Sequence, residues 1–397
     1  MSAMKRLLQL MGEKNASDIF LTVGAPINIK INGVAVPVNQ TIMNAEAVKQ
    51  LLYEILTEKQ IRVYEEELEL NTGYSFEGVG NYRISAFQQK GRPAVVVRFI
   101  PSVVPAIDTL SLPEALKDII MQKRGLVLMV GATGSGKSTS LASMLDYRNG
   151  QKSGHILTLE DPVEFVFTNK KSIVNQREIG TDTKSFQAAL RNALRQAPDC
   201  ILIGEIRDRE TMTSALQYAQ SGHLCLATLH ANNSYHALNR IISFYPLENR
   251  PTLLLDLSAS LQAIISQRLV RTKLGTRKPA IEIMLNTRHI SELIEKGEVN
   301  EIKDAMEKSM APGSQTFEQA LFKLFMQGDI TQDEAMANAD SATNMLWLIN
   351  QATAGQLTTG QAAAAPAETR KPEKKEGILA GSAREASFGD IKIDITT

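Results

Sequence analysis

Met4, Leu7, Leu8 and Met11 recur at intervals of three and four, the period of a helix with one apolar face. Beyond them the period shortens to two. Residues 20–23 and 27–31 alternate, and Asn32-Gly33 follows as the turn of a hairpin. Two further strand-like stretches, 80–88 and 93–100, and a helical one near 45–67 make residues 1–100 a small α+β domain. Prolines at 93, 101, 105 and 113 punctuate the next stretch, so residues 101–113 read as a linker.

From Leu126 the pattern changes to short continuous apolar runs at 126–130, 155–159, 200–203 and 224–229. Amphipathic segments separate them: Phe186, Ala189, Leu190, Ala193 and Leu194 share one helix face, and Met212, Ala215, Leu216 and Ala219 another. Strands apolar on both faces, alternating with helices, predict an α/β domain with a parallel sheet covered on both sides. Ligands of such a sheet sit at the carboxyl ends of its strands. Helical spacing continues through 256–267, 290–296, 301–310, 317–326 and 332–339, carrying this domain over residues 114–350. After residue 351 Ala, Gly, Thr, Pro and charged residues dominate, and 351–397 reads as a disordered tail. Its last residues alternate again, with Phe388, Ile391, Ile393 and Ile395 on one face.

Composition narrows the function classes. In 397 residues, 43% are apolar, enough for two domain cores. Forty-three basic residues balance forty-three acidic ones, which leaves no overall electrostatic footprint for nucleic acid or anionic lipid. No apolar run approaches bilayer length and no signal-peptide pattern opens the chain, so the expected location is the cytoplasm. Cys200 and Cys225, the two cysteines, are too few for a disulfide framework or a four-thiolate zinc site.

Chemistry concentrates at three strand ends. Gly131, Ala132, Thr133, Gly134, Ser135, Gly136, Lys137, Ser138 and Thr139 follow the run 126–130 and precede a helix. Glycines at 131, 134 and 136 let successive amide N–H groups turn toward phosphate oxygens, Lys137 adds charge, and Ser138 can ligate magnesium. Hydrolysis also needs a carboxylate to orient water and another near the metal. The cluster Glu160, Asp161 and Glu164 lies beyond one run, and Glu205 beyond another. His223 and His230 flank the run 224–229.

Four segments in order, Gly131 to Thr139, Leu159-Glu-Asp-Pro-Val-Glu164, Ile203-Gly-Glu-Ile-Arg-Asp208 and Gly222 to His230, resemble the Walker A, Asp box, Walker B and His box of the secretion-superfamily ATPases. The resemblance runs over residues 17–340 and is strongest to the type IV pilus retraction branch, the PilT/PilU twitching-motility proteins. It implies a RecA-like motor domain behind a PAS-like N-terminal domain, a cytoplasmic homo-hexamer at the inner face of the membrane, and ATP with Mg as cofactors. It implies Glu164 as catalytic carboxylate, Glu205 beside magnesium, and His223 and His230 in contact with nucleotide. Arg83 and Arg98 match N-domain arginines that reach toward nucleotide in the family. Implied partners are a paralogous retraction ATPase and the inner-membrane pilus platform protein, with membrane contact only through that partner and no direct nucleic acid.

Departures favour the accessory PilU branch: the chain reads His289-Ile-Ser-Glu-Leu-Ile294 where principal retraction motors carry Ala-Ile-Arg-Asn-Leu-Ile, and Leu194 to Asp199 and the long tail point the same way. Two alternatives stay open. One is a nucleotide-binding regulatory subunit that depends on a paralogous ring; the other is a secretion or DNA-translocation motor for other cargo.

Overall fold

A computed structural model describes residues 2–14, 16–31, 33–100, 103–309 and 311–359, with side chains described to residue 352. The N-terminal helix α1 (Ala3–Glu13) is capped by the Ser2 hydroxyl, which accepts from the Lys5 N–H, and buries the predicted face of Met4, Leu7, Leu8 and Met11. Strands β1 (Asp18–Thr22), β2 (Asn28–Ile31), β3 (Val34–Pro37), β4 (Glu69–Phe76), β5 (Gly80–Gln89) and β6 (Arg92–Ile100) form one sheet in the order β3-β2-β1-β6-β5-β4. Every neighbouring pair in it is antiparallel. The region 45–67 divides into α2 (Ala45–Tyr53) and α3 (Glu58–Glu67), because Thr57 starts a new helix with a capping box to Gln60. Apolar faces of α1 and α2 close over Ile19, Leu21, Ile84, Val95 and Val97 in a single core.

The connecting segment packs onto the C-terminal domain. Ile107, in a short 3-10 turn at Ile107–Leu110, is buried with Leu116 and Ile119 of α4 (Ala115–Ile120) and with Leu141 and Met144 of α5 (Lys137–Gln151). The second sheet contains β7 (Gly125–Val130), β8 (Gly154–Glu160), β9 (Ser172–Glu178), β10 (Cys200–Ile203), β11 (Leu224–Leu229), β12 (Leu261–Arg271) and β13 (Arg277–Leu285). Its order is β13-β12-β7-β11-β10-β8-β9, parallel except for the β12–β13 hairpin. Helices α6 (Phe186–Ala193), α7 (Arg209–Gln220), α8 (Ser234–Ser243), α9 (Arg250–Ser260) and α10 (Arg288–Lys296) contribute to the core on one face of the sheet. Helices α4 and α5 cover the other. Four helices end the described chain: α11 (Ile302–Glu307), α12 (Phe317–Met326), α13 (Gln332–Asn338) and α14 (Ala342–Thr359). Phe317, Leu321, Ile330, Ala335 and Met345 from this end pack on Val270 and Ala280 of the hairpin.

Two expectations need correction. The helix predicted over 256–267 ends at Ser260, and residues from Leu261 on are a strand, held parallel to β7 and antiparallel to β13 over nine residue pairs. A short apolar run such as Ala263 to Ile265 suits a buried strand as well as a helix, and the two neighbouring strands decide it. Helical backbone also continues past residue 351 to Thr359. The rest of the predicted tail, 360–397, lies outside the described residues, as does Asn32 of the hairpin turn, although β2 and β3 pair as expected. Among the described residues no helix is long and apolar enough to cross a membrane.

Candidate active site

Strand β7 is buried along its whole length and delivers the glycine-rich loop to the carboxyl edge of the sheet. Gly131 has φ +152°, and a Cβ there would stand 2.6 Å from the Gln267 carbonyl oxygen and from Ser135 Oγ, so the loop can lie against β12 only with glycine at this position. Gln267, buried on β12, then ties the loop and the following helix α5 to the strand. Its Nε2 donates to the Ser135 carbonyl (2.8 Å), and its Oε1 accepts from the Ser140 hydroxyl (2.8 Å). Lys137, at the start of α5, folds over the loop and donates to the carbonyl oxygens of Gly131 (2.7 Å) and Ala132 (2.9 Å). Burial lowers its pKa, while Glu205 and Glu164 pull the other way.

Lys137 and Ser138 line a cavity of about 250 Å³ together with Thr133, Gly134, Glu160, Asp161, Glu164, Glu205, Arg207 and His230. The three strand ends predicted to carry chemistry therefore meet at one place. Glu205 accepts from Arg207 Nε (2.7 Å) and lies 3.2 Å from His230 Nε2, and Arg207 also pairs with Asp161 at 3.5 Å. The hydrogen bond to Glu205 is the main cause of a raised Arg207 pKa. Glu164 is exposed at the cavity wall, whereas Glu160, which also lines the cavity, is buried. The Glu160 carboxylate accepts from Thr158 Oγ1 (2.6 Å), from Gln176 Nε2 (3.2 Å) and from the Glu164 N–H. Burial raises its pKa, against the lowering effect of those donors. Glu160 thus works as an anchor for the loop, with Glu164 as the carboxylate left for the cavity.

His223 is elsewhere. It precedes β11 and sits at the amino-terminal end of the sheet, where its Nδ1 meets Ser221 Oγ (3.2 Å) and the Tyr218 carbonyl (3.3 Å). The length of β11 separates it from His230 by roughly 20 Å at about 3.3 Å per residue. Arg83 and Arg98 face each other across β5 and β6 in the N-terminal sheet, and Arg98 Nε pairs with Asp18 Oδ1 at 2.9 Å. Neither arginine lines the cavity.

The cavity suits a magnesium nucleotide. Ser135 Oγ is a buried hydroxyl without a hydrogen-bond partner, and Lys137 is a buried cation whose hydrogen bonds go to two loop carbonyls. Among the described residues no cluster of three or more His, Cys, Asp or Glu side chains can hold a metal. Magnesium needs no such cluster: it is bound through one or two protein oxygens plus phosphates and water, and Ser138 and Glu205 are the oxygens at hand.

The Type II/IV secretion system protein family matches residues 2–292. The chain belongs to this family. It is 48% identical over 346 residues to the type IV pilus ATPase PilU of Pseudomonas aeruginosa, covering 87% of this chain and 91% of PilU. Identity to the type IV pilus retraction ATPase PilT of the same organism is 40% over 338 residues, 85% of this chain and 98% of PilT. A crystal structure of the pilus retraction motor PilT with bound ADP superposes with a TM-score of 0.80 at 39% identity, over 87% of this chain and 98% of that one. The ATPase DotB of Legionella pneumophila superposes at 0.75 and 28% identity, over 84% and 93%. The chain is a PilT/PilU-like secretion ATPase, with a RecA-like ATPase domain behind an N-terminal α+β domain.

Two residues of the site escape the sequence reading. Arg207 lies inside the Walker B segment, where spacing gives it no role until its contacts with Glu205 and Asp161 are seen. Gln267 falls at the end of the stretch that reads as a helix, and a helix hides its reach to the phosphate loop.

Proposed function

We propose that this ATPase works as a cytoplasmic homo-hexamer at the inner face of the membrane and powers or assists type IV pilus retraction, coupling ATP hydrolysis to motion of the pilus platform protein. The convergence of Lys137, Ser138, Glu164, Glu205 and His230 on one cavity carries the enzymatic part. The type IV pilus functions named for relatives that match over most of their length support the cellular part.

In this reading the loop N–H groups and Lys137 bind and neutralise the phosphates. Ser138 and Glu205 hold magnesium, which supplies electrophilic stabilisation of the charge on the transferred phosphoryl group. Glu164 orients the attacking water and accepts its proton. His230 holds the Glu205 carboxylate from the far side. Arg83, Arg98 and His223 lie away from their own chain's cavity, and act on nucleotide across the boundary with a neighbouring copy. Closing that boundary around ATP and opening it after hydrolysis gives the ring its stroke.

The test is ATP turnover by the purified chain alone, with Glu164→Gln as control. Turnover is expected to fall at least about a hundredfold in the variant while ATP still binds. Equal turnover in both proteins would remove Glu164 from the chemistry. ATP binding without turnover in the wild type would favour the regulatory subunit. The sequence of α10 supports that second reading: it departs from the principal retraction motors at His289, Ser291 and Glu292, none of them buried, while Ile290, Leu293 and Ile294 keep its buried face.

A further inference from the structure

The loop that carries Glu164 is fixed by two carboxylates acting on consecutive N–H groups. Glu160 takes the N–H of Glu164, and Glu178 takes that of Val163 through Oε2 at 3.1 Å. Glu178 ends β9, the edge strand of the parallel sheet, and is 7% exposed. Its other oxygen accepts from Thr181 Oγ1 (3.0 Å) and from the backbone N–H of Gly73 (3.1 Å). Gly73 belongs to the N-terminal domain. It lies on β4, the edge strand of the antiparallel sheet, and an edge strand turns alternate N–H groups away from its only neighbour. A Cβ at residue 73 would stand 3.2 Å from Glu178 Oε1, so a bare backbone is what lets the carboxylate approach this closely.

One side chain thus holds the edge of the N-terminal sheet with one oxygen and the neighbour of Glu164 with the other. Among the described residues it forms no ion pair, and its buried oxygens find their partners in these hydrogen-bond donors. Moving the N-terminal domain removes one donor, and the carboxylate must then find a replacement or shift. A shift pulls on Val163.

We propose that Glu178 is a positioning residue that makes the placement of Glu164 depend on the position of the N-terminal domain, so that the site is in catalytic register only when that domain is docked. This rests on the proposed role of Glu164 in activating water. The link runs from the Gly73 N–H through the Glu178 carboxylate to the Val163 N–H, with main-chain donors on both sides.

The test is a double-mutant cycle on turnover by the full chain. Glu178→Gln leaves one acceptor oxygen where two are needed. Gly73→Pro removes the donor from the other domain, at an edge position where proline is tolerated, and Gly73→Val, which crowds the carboxylate, replaces it if the proline variant does not fold. Each single variant is expected to lower kcat about tenfold with the KM for ATP within about twofold, and the double variant to fall no further. Multiplying effects, or unchanged kcat in folded single variants, would overturn the proposal. So would a loss of kcat that follows a fall in melting temperature in both. If Glu164→Gln keeps full turnover, the assignment of Glu164 fails, whereas the cycle between residues 73 and 178 still reports whether the two domains are coupled.

Discussion

At the scale of single residues, the site is built from buried polar groups whose partners can be counted. Gln267 spans the glycine-rich loop and α5, and replacing it by leucine leaves the Ser140 hydroxyl and the Ser135 carbonyl without their partner. Stability is expected to fall by about 1–3 kcal/mol, measured by denaturant unfolding, and nucleotide affinity to fall with it. Lys137→Ala removes the cation but not the fold, so turnover is expected to vanish while the melting temperature stays near that of the wild type. Two other buried carboxylates set a pH dependence. Burial raises the pKa of Glu160 and of Glu282, whose Oε1 accepts from the Ser234 N–H (2.8 Å) and from the Ser266 hydroxyl (2.9 Å). A carboxyl whose folded pKa is raised binds its proton more tightly in the native state. Its contribution is complete below the unfolded pKa and is lost as pH rises through the folded one. Glu282→Gln is therefore expected to flatten the decline of melting temperature as pH rises above the ordinary carboxylate range, and an unchanged slope would show that Glu282 is not responsible.

At the scale of elements, legibility follows burial. Strands β7, β8, β10 and β11 are buried almost throughout, and their continuous apolar runs stand out in the sequence. The edge strand β9 does not: in Ser172–Glu178 only the first and last residues are buried, and both are polar. The strand β13 begins with Arg277, Lys278 and Pro279, and Glu282 interrupts its apolar run, pointing inward to accept from the start of α8. Neither pattern announces a strand. The cavity is more legible than the sheet, because phosphate binding constrains a contiguous loop and because Glu164, Glu205 and His230 each lie just past a readable strand. What cannot be read is the support: Gln267 and Glu178 act across 132 and 105 residues of chain, on Ser135 and Gly73, and no local period records such a reach.

At the scale of the whole molecule, the chain holds its phosphate loop at one end of a sheet and three of the implied nucleotide contacts elsewhere. Arg83 and Arg98 cannot serve their own cavity from the N-terminal sheet as it stands, but in a head-to-tail ring each copy can offer them to the next. The arrangement predicts complementation. A Lys137→Ala chain keeps its arginines and loses its phosphate site; an Arg83→Ala, Arg98→Ala chain keeps its phosphate site and loses its arginines. Each alone is expected to be inactive. In an equal mixture about a quarter of the boundaries join an intact phosphate site to intact arginines, so turnover is expected to return to a fraction of the wild-type rate once the copies exchange. If the arginines acted within their own chain, no mixture would bring an intact pair together, and the mixture would stay as inactive as its parts.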